Sequence, residues 1–94
     1  MAETHTADIV LSLSGRDKGQ LMLVVAEEGD FLLLADGKRR KLAAPKRKKA
    51  GHVQAVDEGN FPHPALQALR RGEPVTDRAL RRALAAFREE SRRV

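Results

Sequence analysis

The residues best suited to chemistry in this sequence are cations set beside glycines. Leu13-Ser14-Gly15-Arg16-Asp17-Lys18-Gly19-Gln20 lies between one alternating stretch and one continuous apolar run. This is the composition of a tight loop joining two strands, with two glycines able to take positive φ and with Arg16 and Lys18 pointing out of the turn. Asp17 reads as a local turn acceptor. A second stretch, Lys38 to Lys49, carries eight cations in twelve residues (Lys38, Arg39, Arg40, Lys41, Lys46, Arg47, Lys48 and Lys49) and no acid. Such charges repel one another unless an anion is close. Phosphate is the natural counterpart: lysines supply movable point charges, arginines grip two oxygens at once, and glycines let a backbone approach closely. An edge strand whose lysines only prevent aggregation would look similar. The density of charge and the adjoining glycine loop favour anion binding.

Other chemistries find little support. The chain has 94 residues, 18 Lys plus Arg against 13 Asp plus Glu, and a net charge of +5. A core of this size is marginal when burial contributes about 25 cal/mol per Å², which leaves little apolar surface for a deep catalytic cleft. Cysteine is absent, so disulfides and thiolate chemistry are excluded. His5, His52 and His63 are scattered without a metal-ligand spacing, and Glu27-Glu28, Asp57-Glu58 and Glu89-Glu90 are neighbours whose side chains diverge. The expectation is a protein with no catalytic residues, no metal and no cofactor. The start of the chain lacks the pattern of a secretory signal, and no apolar run approaches the roughly 20 residues that span a bilayer. A cytoplasmic protein with no membrane contact is expected.

The elements that must position the cations divide near Gly59-Asn60. Before it the pattern is strand: Ile9, Leu11 and Leu13 alternate with Val10, Ser12 and Ser14, and Leu21 to Ala26 and Phe31 to Ala35 are apolar runs flanking a Glu27-Glu28-Gly29-Asp30 turn. Asp36-Gly37 predicts a tight turn returning the chain through Lys38 to Leu42 as a further strand, interrupted by Pro45. A basic loop follows, and His52 to Val56 supplies a fifth short strand. The remainder, 59–94, reads as a short helix at about 64–71, with Pro64 at its start and Gly72 at its end, and an amphipathic helix at about 77–91. Thr76 is its N-cap, and Val75 can form a staple with Leu80. Leu80, Ala83, Leu84 and Phe87 share one face, opposite Arg78, Arg81, Arg82 and Arg92.

Gly15-Arg16-Asp17-Lys18-Gly19, with the flanking strands and the basic stretch as far as His52-Val53, resembles the KOW motif over about residues 8 to 56. The order of features is also similar to KOW-type large-subunit ribosomal proteins. The resemblance implies an SH3-like β-barrel over 1–58; with the helical pattern of 59–94 as an extension, the expected fold is mainly β (α+β), of about five strands. The resemblance also implies binding of structured RNA, ribosomal RNA or a translation-associated particle, through Gly15, Arg16, Lys18, Gly19, Lys38, Arg39, Arg40, Lys41, Lys46, Arg47, Lys48 and Lys49. With no Trp or Tyr and only Phe31, Phe61 and Phe87, the last and first of these needed by the core, stacking on single strands is disfavoured against gripping the phosphates of folded RNA. An alternative is a protein-interaction adaptor, ribosome- or transcription-associated, meeting its partner with the apolar face of the C-terminal helix. A third, a helix-turn-helix with Arg78, Arg81 and Arg82 on DNA, fits the spacing loosely.

Overall fold

A computed structural model describes residues 4–91; Arg92, placed on the polar face of the last helix by its periodicity, lies outside them. Five strands, β1 (Ile9–Ser12), β2 (Leu21–Glu28), β3 (Phe31–Ala35), β4 (Lys46–Lys49) and β5 (Val53–Asp57), precede two helices, α1 (Pro64–Arg70) and α2 (Asp77–Ser91). All neighbouring strands are antiparallel, in the order β4-β3-β2-β1-β5. This is the expected mainly β scaffold of five strands with a helical segment after it.

The order carries a geometric consequence. β4 and β5 sit on opposite edges of the sheet, yet only the 3₁₀ turn Ala50–His52 joins them. Laid flat, five strands would hold their outer members about 19 Å apart, four spacings of ~4.8 Å. The link from Lys49 to Val53 reaches at most about 13 Å when fully extended, so the sheet must curl. Among the described residues no ladder joins the two edges, and Val53 instead packs on the cluster at the centre of the curl.

Both faces of the central strands are buried. Val10, Met22, Val24, Leu32 and Leu34 fill the concave side. Ile9, Leu23 and Ala35 face the other way, beneath Ala65, Leu66 and Leu69 of α1 and Leu80, Ala83 and Leu84 of α2. That double burial explains why β2 and β3 read as continuous apolar runs. The alternation of Ile9, Leu11 and Leu13 with their neighbours does not divide β1 into a buried and an exposed side: β1 lies between β2 and β5, Ile9 and Val10 are buried on opposite sides, and Leu13, beyond the strand, is exposed.

The helices end as their sequence signals dictate. His63 Nδ1 accepts the Ala65 amide at 3.1 Å ahead of Pro64. After α1, Gly72 N–H donates to Leu69 O and Glu73 N–H to Ala68 O, a Schellman pair. Thr76 Oγ1 accepts the Ala79 amide at 3.1 Å and caps α2, while Val75 joins the cluster that holds Leu80. The apolar face of α2 is therefore covered by the sheet and α1 within the molecule. Phe87 is half-buried there, edge-on to Phe61 at 5.3 Å. Among the described residues no helix is long and apolar enough to cross a membrane.

Two expectations about the basic stretch are reversed. Lys38 to Leu42 is not a strand, and the segment read as a basic loop, Lys46 to Lys49, is β4. Asp36 is the cause of the first: its Oδ1 accepts the amides of Lys38, Arg39 and Arg40 at 2.8–2.9 Å, so the chain closes into a compact loop that needs no partner strand. β4 forms because its backbone pairs with β3, Leu34 opposite Lys46 and Phe31 opposite Lys49. A ladder is blind to side-chain charge.

Candidate nucleic-acid interface

The Gly15–Gly19 loop is closed by its own backbone. Lys18 N–H donates to Gly15 O, Gln20 N–H to Asp17 O, and Gly19 N–H to Ser12 O at 2.8 Å. Gly15 and Gly19 have φ of +76° and +84°, the left-handed region that the loop sequence called for. Arg16 and Lys18 are exposed.

Asp17 does not act as a local turn acceptor with its side chain. Only 3% exposed, it receives Arg40 Nη2 at 2.9 Å and Arg40 Nε at 3.2 Å. This hydrogen bond, against the opposing effect of desolvation and aided by the charges of Arg40, Lys46 and Lys48, holds the Asp17 carboxyl below the usual carboxylate range. A buried carboxylate on one basic loop thus anchors an arginine on the other. Because the Asp36 cap fixes Arg40 next to Lys38 and Arg39, the pair sets the two loops side by side.

The basic stretch does not form one stripe. Strand alternation divides β4, so that Lys46 and Lys48 stand opposite Leu34 and Leu32 on the concave side, whereas Arg47 and Lys49 pair with Leu33 and Phe31 on the outer side. Arg47 lies 3.6 Å over the Phe31 ring and donates to Glu28 Oε1 at 3.1 Å, with both side chains half-exposed. Phe31, assigned to the core by its sequence, is a half-buried surface aromatic that carries this cation. Arg40 is committed to Asp17. The side chains that remain exposed and gathered at one end are Arg16 and Lys18 from one loop and Lys38, Arg39 and Lys41 from the other.

Lys48 is a correction to the expected binding set. It is 8% exposed, and its ammonium donates to Ser12 Oγ at 2.6 Å and to Ser14 O across the concave face. The contact ties β4 to the start of the glycine loop, a structural task. Lys48→Ala is expected to destabilise the fold by about 1–3 kcal/mol, the loss of charge-assisted hydrogen bonds at a buried site. Lys49→Ala, on the exposed side of the same strand, should stay within about 0.5 kcal/mol. Denaturant unfolding of the two variants measures the contrast.

Residues outside the expected RNA-binding set also shape this end. Asp36 caps the second loop. Asp77 Oδ1 accepts the Leu42 amide at 2.8 Å, and Arg81 Nη1 donates to Gly37 O at 2.6 Å, so α2 holds the loop from behind. The one signal for them was Asp36 followed by consecutive polar residues, an Asx-type loop pattern; the helix contacts lie more than 30 residues away in the chain and leave no local trace. Compared with protein-family models and with curated proteins, the chain matches none.

Proposed function

We propose that this protein binds structured RNA without catalysing a reaction, gripping backbone phosphates with the joined basic loops. The observation that carries the reading is the buried Asp17–Arg40 pair, which sets Arg16 and Lys18 beside Lys38, Arg39 and Lys41. Five exposed cations at one end of a molecule with a net charge of +5 make a concentrated positive field for a polyanion. Folded RNA fits better than a single strand, since the exposed aromatic surface at the basic residues is limited to Phe31, already capped by Arg47. The KOW-like loop gives ribosomal RNA or a translation-associated particle as the context.

In this mechanism the glycine loop approaches the backbone and the loop cations displace counterions. If about four cations engage phosphates, the slope of log affinity against log salt is about −3 to −4. Titration of a folded RNA hairpin at several salt concentrations reads that slope. The double variant Lys38→Gln with Lys41→Gln should flatten it by about 1 to 2 and leave the melting temperature in place. An affinity that does not respond to salt would overturn the proposal. Equal competition by duplex DNA would redirect it to nucleic acid of any kind.

A further inference from the structure

We infer that the cleft between α2 and the Asp36–Lys41 loop is a phosphate site, filled by one backbone phosphate of the bound RNA. This deepens the RNA reading and rests on it for the source of the phosphate. Lys38 and Arg39 enter the cleft from the loop and Arg81 and Arg88 from α2, with Gln20 at its side and Leu84 among its lining residues. α2 is thereby drawn into recognition through Arg81, which its periodicity places on the face opposite the apolar one, and through Arg88.

Three observations converge on an anion. Four cations line one cleft of about 320 Å³, at the small end of ligand sites and suited to a compact group. The one acid in the lining, Asp36, directs Oδ1 to three backbone amides of its own loop. The ion pairs among the described residues, His5–Asp8, Arg40–Asp17 and Arg47–Glu28, include none of the four cations. Like charges gathered in this way repel until an anion enters.

The scaffold is also preorganised. Arg81 gives one guanidinium donor to Gly37 O, which fixes the head group at the cleft, and its other donors remain for oxygen atoms of a ligand. Arg88 follows two turns later on the same side of α2, about 10 Å along the axis, and lines the same cleft. Guanidinium forks match phosphate geometry with paired hydrogen bonds, and the loop lysine adds a point charge. A phosphodiester presents the two exposed oxygens this arrangement takes.

The full chain with Arg88→Gln tests the assignment, because Arg88 belongs to neither basic loop and makes no hydrogen bond that holds the fold among the described residues. Arg82→Gln is the control, the same charge change on the same helix outside the cleft. Arg88→Gln should weaken binding of a folded RNA hairpin by about tenfold and reduce the salt slope by about 0.7 to 0.9, while Arg82→Gln changes affinity less than about twofold. Inorganic phosphate titrated into the unmodified chain should shift the Nε–H resonances of Arg81 and Arg88 and not that of Arg78. Equal losses in the two variants would reduce the effect to general charge and overturn the site. Normal RNA binding by Arg88→Gln, with phosphate shifting Arg81 and Arg88 in the unmodified chain, would overturn the RNA phosphate as occupant and leave a site for free phosphate. Phosphate shifts in a chain that binds no RNA would sink the RNA reading and sustain the cleft. Absence of phosphate shifts together with unaltered RNA binding in Arg88→Gln would overturn the cleft and spare the loops.

Discussion

A chain ending at residue 73 is expected not to fold. Removing α2 uncovers Ile9, Leu23 and Ala35 on the sheet and deletes Leu80, Ala83 and Leu84, all essentially without solvent exposure. Replacing one such leucine with alanine costs about 2–5 kcal/mol, against roughly 5–15 kcal/mol of net stability for a whole domain. Leu80→Ala alone should therefore consume a large part of the margin, and loss of the entire helix should exceed it. Backbone groups would be orphaned too, since the Leu42 amide loses Asp77 and the Gly37 carbonyl loses Arg81. Circular dichroism and amide dispersion of the truncated chain measure the result. A well-dispersed sheet spectrum would show that the strands hold together without α2 and would contradict the shared core. The partition near Gly59 accordingly marks a change of secondary structure inside one core. It follows that deleting the C-terminal helix cannot separate an RNA-binding surface from a partner-binding one.

Gly37→Ala should produce the second large effect. Gly37 has a φ of +79°, and an added Cβ would overlap Asp77 O and stand 3.1 Å from Arg81 Cγ. The left-handed backbone costs an alanine about 1–2 kcal/mol. Overlap with a helix carbonyl, which cannot rotate aside, adds about 1–3 kcal/mol. The loop must lift from α2, and it carries Lys38 and Arg39 away from Arg81 and Arg88. Both stability and RNA affinity should fall. Gly29→Ala is the matched comparison: φ is +58°, but nothing lies within 4 Å of the added atom, so only the backbone penalty remains. Calorimetry of the two variants gives the difference. Equal destabilisation would mean that loop and helix are not in contact as described.

Much of the scaffold was legible from residue patterns. The strands begun at Ile9, Leu21 and Phe31 announced themselves because apolar content and flanking turn residues agree, although Glu27 and Glu28, read as part of the turn, extend β2. Both helices did so through Pro64, Gly72, Thr76 and the Leu80-Leu84-Phe87 face. The exchange of strand and loop between 38 and 49 was not legible. Asp36 organises its loop with a side chain, a local solution that a turn dipeptide does not reveal, and β4 is specified by the unsatisfied edge of β3 and not by its own four cations. Lys48 illustrates the same limit for the site. Its sequence neighbours are equally basic, and only the alternation of β4 across a curled sheet decides that this one turns inward to Ser12 while Lys49 stays outside. Asp17, likewise, became an anchor only when the fold brought Arg40 to it across 23 residues of chain.

The account rests on two basic loops acting as one RNA-binding end. Backbone amide shifts recorded while a folded RNA hairpin is titrated into the full chain test that most directly. Resonances of residues 15–19 and 37–41 should move together at the same RNA concentrations, with those of β5 and α1 undisturbed. Shifts confined to Arg47 and Lys49 on the outer face, or no shifts at low ionic strength, would contradict it.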